Sequence, residues 1–221
     1  DGSLLNDRPP LVLTAEYVGN GAAFPFMVIN VHQRSLSGIE GTGSTAQRVR
    51  QKRFEQALTL SQFIQGRQAL DPSLRIAVVG DFNAFEFTDG YVDVMGQVTG
   101  TLDPAGALLP GTDELTPDLT NWTLGLDPAE RYSFVNDGSA QTLDHALTTA
   151  TLTSFVRGYE HSRGNADAPF ALQRAASTAA RVSDHDGSVL FVMSDFDADG
   201  IADDLDNCRE AFNPGQFDSD G

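Results

Sequence analysis

Apolar runs separated by polar or glycine-rich turns divide the chain into short strands and one long helix. Residues 11–18 and 26–32 predict two strands, joined by a glycine-rich turn at 19–21. Residues 45–66 form the longest helical pattern. Its apolar stripe comprises Phe54, Leu58, Leu60, Ser61, Phe63 and Ile64. Its early turns carry charged side chains at Arg48, Arg50, Lys52 and Arg53, and a solvated face is expected for Arg48 and Arg50.

A second set of apolar runs follows the helix. Four consecutive apolar residues predict a central strand at 75–80 that is covered on both faces. A loop-rich span from Thr99 to Glu130 follows. Further strands are predicted at 131–135, 142–148, 151–157 and 187–193. Strands combined with one long helix indicate a mixed sheet pair with helices outside.

The central strand ends in polar residues that suit phosphate chemistry. Alternation places Asp81 and Asn83 on one side and turns Phe82 into the core. A carboxylate can hold a metal or polarise a nucleophile, and a neutral amide can hydrogen-bond a developing oxyanion. The alternative for a D-x-N sequence alone is a strand followed by an Asx-turn.

Charge divides the chain into two regions. The formal net charge is −17, which argues against a non-specific polyanion binder. Residues 195–221 carry eight aspartates and one glutamate against one arginine, which gives this segment a net charge of −8. The composition changes abruptly at Asp195, so we predict one domain over residues 1–193 and a second unit over 194–221. No apolar run approaches the roughly 18 residues that span a bilayer.

Three of the four histidines, His32, His145 and His185, interrupt apolar segments, and two of them directly follow an aspartate. A single such histidine is more often a hydrogen-bonded core residue. An Asp–His pair nevertheless supplies a general base, because the carboxylate fixes the imidazole tautomer and raises its basicity. Phosphodiester hydrolysis needs a positioned water, a base and neutralised oxygen charge. Together with Asp81, Asn83, Asp144 and Asp184, the histidines offer each of these.

A series of motifs, in order along residues 6–187, resembles one enzyme superfamily. The motifs are NDRPPL (6–11), INVHQRS (29–35), VVGDFNAF (78–85), YSFVNDG (132–138), TLDHAL (142–147) and VSDHDG (182–187). They resemble the endonuclease/exonuclease/phosphatase superfamily with its deoxyribonuclease-I-like fold, and most of all the large secreted nucleases of bacteria. His161 with residues 165–167 is similar to a further motif of that branch. The resemblance implies an α/β fold, a four-layer sandwich of two mixed β-sheets flanked by helices.

The resemblance also implies catalytic roles. His185 would be the general base, Asp144 would orient it, and Asp184 would bind a catalytic Mg²⁺ or Mn²⁺. Asp81 would position or polarise the nucleophile. The remaining catalytic residues implied are Asn83, which would bind the scissile phosphate, and His32, which would contact a phosphate oxygen.

Substrate-binding residues follow from the same resemblance. Arg8 would grip the substrate backbone. Arg34 stands where secreted members often carry lysine, and a solvated surface charge is the alternative for it. Arg53 falls where relatives carry an arginine. His145 occupies a position that varies in relatives, so packing and catalysis remain alternatives.

One departure concerns the start of the domain. Members of the superfamily begin with a strand bearing an Asn and a second strand bearing a metal-binding Glu, and nothing before Arg8 could supply either. Glu16 comes too late in the motif order. We therefore expect the chain to be the later two-thirds of the catalytic domain, with the N-terminal part of that domain as a partner.

The acidic C-terminal segment has the spacing of a calcium loop. Its pattern is D-x-D-x-D-G-x-x-D-x-x-D, in which oxygen ligands alternate and a glycine allows the sharp turn. The predicted ligands are Asp195, Asp197, Asp199, the carbonyl of Ile201, Asp203 and Asp206. The segment resembles a thrombospondin type-3 repeat, which implies structural Ca²⁺ and a partner for Cys208 in a second repeat. An acidic disordered tail is the alternative.

The motifs together favour a secreted, divalent-metal-dependent phosphodiesterase, a nuclease acting on extracellular DNA. A sphingomyelinase-type or other small-substrate phosphodiesterase of the same fold is the first alternative. The second is a non-catalytic, calcium-stabilised surface module.

Overall fold

The computed structural model describes residues 5–172, 175 and 177–218. Within these residues the strands are β1 (Leu11–Tyr17), β2 (Phe24–His32), β3 (Ile76–Asp81), β4 (Thr120–Asn121), β5 (Phe134–Asn136), β6 (Ser139–Gln141), β7 (Asp144–Thr148), β8 (Val156–Ser162) and β9 (Gly187–Val192). The helices are α1 (Ser44–Leu70), α2 (Val94–Thr99) and α3 (Ala150–Thr153), with 3₁₀ turns at Pro104–Gly106, Trp122–Gly125, Pro128–Glu130 and Phe170–Leu172.

Five strands form one mixed sheet in the order β1-β2-β3-β7-β4. The β2–β3 pair is parallel, whereas the other neighbours are antiparallel. A parallel pair needs a long crossover connection, and α1 occupies the connection here. The β5–β6 and β8–β9 pairs form two further antiparallel sheets. The mixed α/β class that the sequence predicts is confirmed.

The five-stranded sheet is covered on both faces. One apolar core joins residues of β2, β3 and β7 to α1 and α2, and includes Ile29, Ile64 and Val78. A second core lies on the opposite face, where Phe24 and Ala77 pack with Phe155, Val156 and Leu190. The layers are therefore helix, sheet and the smaller β8–β9 sheet. On the outer side of β9, Val189 and Phe191 are each 46% exposed, and no helix among the described residues packs there.

The buried face of α1 differs from the predicted stripe. Leu60, Ser61 and Ile64 are buried as predicted, whereas Phe63 is 42% exposed. The expectation of a solvated face is wrong for Arg50, which is buried, and Arg53, which the resemblance had set apart from the other helix arginines, is buried too. Their guanidinium groups donate to backbone carbonyls of neighbouring loops, and such hydrogen bonds compensate a buried charge. Arg48 is exposed, as predicted.

Two further predictions of local structure need correction. The strand predicted at 151–157 begins only at Val156, because α3 occupies the first part of that segment. The sequence analysis also missed α2, a buried helix of six residues whose N-cap Asp93 accepts a hydrogen bond from Gly96 N. None of the helices in the described part of the chain combines the length and the apolar character that a membrane span requires.

Candidate active site

The ends of three neighbouring strands bring the predicted catalytic side chains together. In the sheet register, Asp81 at the end of β3 lies opposite His32 of β2 and Asp144 of β7. Gly80 precedes Asp81 with φ +124°, and a Cβ at this position would collide with the Val31 carbonyl oxygen. Only glycine adopts this conformation readily, so Gly80 allows β3 to approach β2 at the site.

Asp144 and His185 form the central pair. Asp144 Oδ2 lies 2.6 Å from His185 Nδ1 and accepts a second hydrogen bond of 2.6 Å from Ser133 Oγ. The Phe134 ring stacks on the imidazole at a centroid distance of 4.6 Å. Because Nδ1 donates to a carboxylate that has no proton of its own, Nε2 is the nitrogen left to accept a proton. This arrangement is that of an oriented general base.

The electrostatic environment of this pair favours an ionised Asp144 beside a histidine that holds a proton more strongly than usual. Burial disfavours the imidazolium of His185, but the hydrogen bond and negative charge of Asp144 outweigh burial and raise the His185 pKa. Burial likewise works against the Asp144 carboxylate, yet the hydrogen bonds from His185 and Ser133 leave its pKa lowered. A raised pKa makes His185 a stronger base in the cleft.

Asp81 is held by three donors. Its carboxylate accepts hydrogen bonds from Asn83 N (2.7 Å) and Asn83 Nδ2 (2.9 Å), and its Oδ2 lies 3.1 Å from His32 Nε2. Arg8 Nη1 lies 2.8 Å from His32 Nδ1. A guanidinium can only donate, so His32 accepts on Nδ1 and donates from Nε2 to Asp81. Arg8, His32 and Asp81 therefore form one hydrogen-bonded chain.

The charge state of Asp81 is sensitive to pH near neutrality. Burial first, and the negative charge of Asp144 second, raise the pKa of Asp81 to about 6. Burial and the positive charge of Arg8 lower the pKa of His32, which agrees with a neutral imidazole in the hydrogen-bonded chain. The predicted site thus combines a basic histidine with a carboxylate that resists ionisation.

Asn83 adopts a left-handed conformation, with φ 49°. Its side-chain amide donates to Gln33 O as well as to Asp81, so both amide hydrogens have protein acceptors. Arg53 holds the Asn83 carbonyl oxygen at 2.7 Å. In this structure Asn83 orients Asp81, and its contact with a scissile phosphate stays a prediction.

The side chains of Asp184 and Arg34 lie in different surroundings. Asp184 is exposed at the cleft, and no hydrogen bond or ion pair involves it within the described residues. Arg34 donates to Ser35 Oγ (2.6 Å) and Ser37 O (2.9 Å), and thus braces the loop at 35–40 that lines the cleft. Its predicted contact with substrate remains a prediction.

The loop that carries His185 is anchored by residues that the sequence analysis did not assign. Asp186 is 4% exposed and accepts hydrogen bonds from Asn165 N, Ala166 N and Arg163 Nη1. The Asn165 side chain donates to the His185 carbonyl oxygen at 2.9 Å. The motif VSDHDG contains both Asp184 and Asp186. Nothing in the motif indicated that Asp186 is buried.

The remaining histidines lie outside the hydrogen-bonded groups of the cleft. His145 is 1% exposed, contacts Ala84 O at 2.9 Å and packs edge-on against Phe82, so it is a packing residue. His161 lies between Ser188 Oγ and the Arg131 carbonyl oxygen.

The predicted catalytic side chains, among them His32, Asp81, Asp144 and His185, line an open cleft of about 1210 Å³. Four aromatic side chains are among its lining residues, and we call the stacked pair of Phe85 and Phe87 its aromatic wall; the other two are Tyr91 and Phe134. The Phe85 and Phe87 rings stack at 5.4 Å between centroids, and Phe87 is 63% exposed. An exposed aromatic face beside the catalytic groups can stack on a flat ligand.

A second acidic cluster lies in the C-terminal segment. Ligand atoms of Asp195, Asp197 and Asp199 lie within 4.8 Å of one another. Asp195 Oδ1 and Asp197 Oδ2 are buried without a hydrogen-bond partner. Burial, followed by the charges of Asp199 and Asp197, raises the pKa of Asp195. Buried carboxylate oxygens without donors are the ligands that a hard cation would satisfy.

The structure does not bring the other predicted calcium ligands into this cluster. Asp203 accepts hydrogen bonds from Ser194 Oγ (2.6 Å) and Phe196 N (2.7 Å). Asp206 Oδ1 accepts from Cys208 N and Gln216 Nε2. Both carboxylates shape the loop through these donors. Ile201 donates its N–H to Asp199 Oδ1, and its carbonyl as a ligand stays a prediction.

Comparisons with known proteins give distant structural likenesses. No protein-family model matches the sequence, and no curated protein matches it. A truncated Caenorhabditis elegans TDP2 is 13% identical, with a TM-score of 0.46 over 84% of this chain and 60% of that chain. The 3′-5′ exonuclease NExo of Neisseria meningitidis is 15% identical, with a TM-score of 0.46 over 76% and 61%. A beta toxin of Staphylococcus aureus is 19% identical, with a TM-score of 0.46 over 82% and 56%.

The chain thus spans about 60% of the length of the first two of these solved proteins. Likeness at this level carries no argument about chemistry, so the assignment of function depends on the geometry of the cleft.

Proposed function

We propose that the chain carries the catalytic residues of a metal-dependent phosphodiesterase of the endonuclease/exonuclease/phosphatase superfamily that hydrolyses DNA outside the cell. The observation that supports this most is the Asp144–His185 hydrogen bond beside Asp81 at the base of an open cleft. The order of the motifs along the chain agrees with it.

His185 and Asp144 supply the proton transfer. A water beside His185 Nε2 loses a proton to the imidazole as its oxygen bonds to phosphorus, and Asp144 stabilises the imidazolium that forms. The P–O bond to the leaving alkoxide breaks, and the alkoxide takes a proton from solvent. The raised pKa of His185 suits this task. Ser133 keeps Asp144 in place through its 2.6 Å hydrogen bond.

The Arg8–His32–Asp81 chain supports the same chemistry on the other side of the cleft. Arg8 is the positive charge that contacts a phosphate of the substrate backbone, and its hydrogen bond fixes the His32 tautomer. His32 Nε2–H is the donor shared between Asp81 and a phosphate oxygen. Asp81 positions the nucleophile with a carboxylate held by Asn83.

A divalent cation would offset the negative charge of the cleft carboxylates and of the substrate phosphate. Asp184 offers an exposed carboxylate without a protein partner, which fits Mg²⁺ or Mn²⁺, since Mg²⁺ is held by one or two carboxylates, waters and substrate phosphate. Held by Asp184, such an ion would supply positive charge against the phosphate oxygens in the transition state.

The aromatic wall favours a nucleic acid over a small phosphodiester. Phe87 presents an exposed ring, backed by Phe85, along the same cleft as His185. Stacking of a base on an aromatic side chain contributes about 1–3 kcal/mol and tolerates any sequence. A sphingomyelinase-type substrate has no base to stack there.

The acidic cluster suits structural Ca²⁺ bound by Asp195, Asp197 and Asp199. Loops of this kind with weak affinity are filled at extracellular calcium concentrations, which agrees with secretion.

The proposal is tested by measuring DNA cleavage by the natural protein, purified in the form in which its host produces it. We expect turnover only with a divalent cation, and a loss of at least about a hundredfold for His185→Ala. His161→Ala is the matched control, because His161 lies outside the residues lining the cleft. Undiminished cleavage in excess chelator, or near-normal turnover by His185→Ala, would show that the mechanism is wrong.

A choline phosphodiester and single-stranded DNA serve as competing substrates in the same assay. Phe87→Ala should raise KM for DNA several-fold and leave hydrolysis of the small substrate unchanged. Cleavage of the small substrate alone would favour the sphingomyelinase-type alternative, and binding without cleavage of either would favour a non-catalytic module.

A further inference from the structure

The acidic C-terminal segment packs directly against the second apolar core. Ala202 is 3% exposed and belongs to the same cluster as Phe24, Leu152 and Phe155. Buried apolar contact of this kind joins the segment to the five-stranded sheet and to α3. The start of the acidic segment is therefore packed against the part of the chain that precedes it.

Polar contacts fix the same segment at two more places. Arg157 of β8 donates from Nε and Nη2 to the two carboxylate oxygens of Asp204, at 2.6 Å each. A paired contact of this kind has defined geometry. Near β2, Ala22 N donates to the Phe196 carbonyl oxygen at 2.6 Å.

The acidic cluster lies between these attachment points. Asp195 Oδ2 lies 3.9 Å from Arg75, which precedes β3. The Arg75 guanidinium stacks over Phe24 at 4.1 Å and over Phe155 at 4.8 Å. The first predicted calcium ligand is thus in contact with the arginine that covers the second core.

Without a bound cation, the cluster of Asp195, Asp197 and Asp199 opposes the packing of the acidic segment against the second core. Three carboxylates lie within 4.8 Å of one another, the Asp195 side chain is 2% exposed, and its Oδ1 has no donor. Arg75 is the cation nearest to Asp195, and at 3.9 Å its contact with that carboxylate is long. Repulsion among partly desolvated carboxylates favours separation of the loop unless a cation is bound.

We propose that Ca²⁺ bound by Asp195, Asp197 and Asp199 latches residues 194–204 onto the second core and thereby holds the β8–β9 sheet against the five-stranded sheet. This inference rests on the calcium site proposed above and goes beyond it, because it makes the ion part of the stability of the catalytic domain. Since β9 follows directly on His185, the latch also stabilises the strand that carries the catalytic loop.

Hydrogen exchange with mass spectrometry tests the coupling. The protein is compared in excess CaCl₂ and in a calcium chelator, with Mg²⁺ as the control ion, and calorimetry measures binding separately. At a hundred times Kd, a ligand that binds only the latched state raises its equilibrium constant about a hundredfold. We expect calcium to slow exchange at least about tenfold in Val156–Ser162 and Gly187–Val192, as well as in the loop itself.

Three variants separate binding from coupling. Asp199→Asn should lose both calcium binding and the calcium-dependent protection. Asp204→Asn should keep calcium binding, because Asp204 lies outside the cluster, but lose at least half of the protection in β8. Glu210→Gln removes an exposed charge of the same segment and should behave as the wild type.

The outcomes distinguish the two proposals. Calcium binding without any change of exchange in β8 and β9 overturns the latch and leaves the calcium site intact. Absence of calcium binding in the wild type overturns both. Equal protection by Mg²⁺ would show that the latch is not selective for calcium and would overturn the proposal as stated.

Discussion

Replacing Arg53 by alanine should destabilise the protein by about 3–5 kcal/mol, although this arginine lies in a run of charged residues in the sequence of α1. Its side chain is 1% exposed. It donates to Arg34 O at 2.6 Å, to Asn83 O at 2.7 Å and to Asp89 Oδ2 at 3.0 Å. Removal leaves the Asp89 carboxylate, itself 6% exposed, without its ionic partner.

The magnitude follows from that uncompensated charge. Breaking a buried ion pair by deleting one partner costs about 3–5 kcal/mol, a large fraction of the roughly 5–15 kcal/mol typical of a domain. The change should also lower kcat by about tenfold or more, because Asn83 would lose the contact that holds its left-handed backbone beside Asp81.

Urea unfolding followed by circular dichroism measures the first effect. Arg48→Ala is the matched control, since Arg48 is exposed on the same helix, and it should cost less than about 0.5 kcal/mol. Asp89→Asn in the Arg53→Ala background should recover about 1–2 kcal/mol, because it neutralises the unpaired charge. The amide oxygen of that asparagine can still accept the N–H groups of Tyr91 and Val92.

Two results would refute this reasoning. A cost below about 1 kcal/mol for Arg53→Ala would mean that the guanidinium is effectively solvated. Additive destabilisation by the two changes would mean that Arg53 and Asp89 are not coupled.

Further predictions concern the site. Turnover should fall as the pH drops below neutrality, first because the raised pKa of His185 leaves the general base protonated, and then through about 6 because Asp81 is protonated and loses the charge that positions the nucleophile; a kcat/KM profile that is flat from pH 7 to 5 would contradict this. Asp186→Asn should lower kcat at least about tenfold with little change in KM, since Asp186 anchors the His185 loop. Gly80→Ala should cost at least about 2 kcal/mol in thermal unfolding, because φ is positive and a Cβ meets backbone. Arg8→Ala should weaken DNA binding and reduce its salt dependence, as measured by titration at several salt concentrations.

The sequence predicted the elements that carry the site, because their signals are local. The apolar run before Asp81 and the apolar segment at 26–32 predicted two strands, and the structure has β3 and β2 at these places. Residue types alone pointed to the neighbours Asp144–His145 and Asp184–His185, and the family resemblance implied the pairing of Asp144 with His185 that the structure has.

Burial of polar residues is what the sequence could not provide. Arg53 and Asp186 are charged residues of the kind usually found on surfaces, and only tertiary structure supplies the carbonyl and amide partners that allow them inside. α3 was missed for a related reason. Its four residues are threonine-rich and suit a strand, but Thr149 makes hydrogen bonds with Ile76 that end β7 there.

The negative charge of the cleft carboxylates is a reason to expect that DNA binding, and not only cleavage, needs a metal ion. Asp81, Asp144 and Asp184 all line the cleft, and Arg8 is the arginine among its lining residues. At an effective dielectric constant near 20, two like charges 4 Å apart repel by about 4 kcal/mol. Burial is the main cause of the raised pKa of Asp81, and the negative charge of Asp144 adds to it, so this repulsion acts before any substrate phosphate arrives. A polyanion can therefore enter only when a cation offsets these carboxylates, so chelation should abolish DNA binding as well as cleavage.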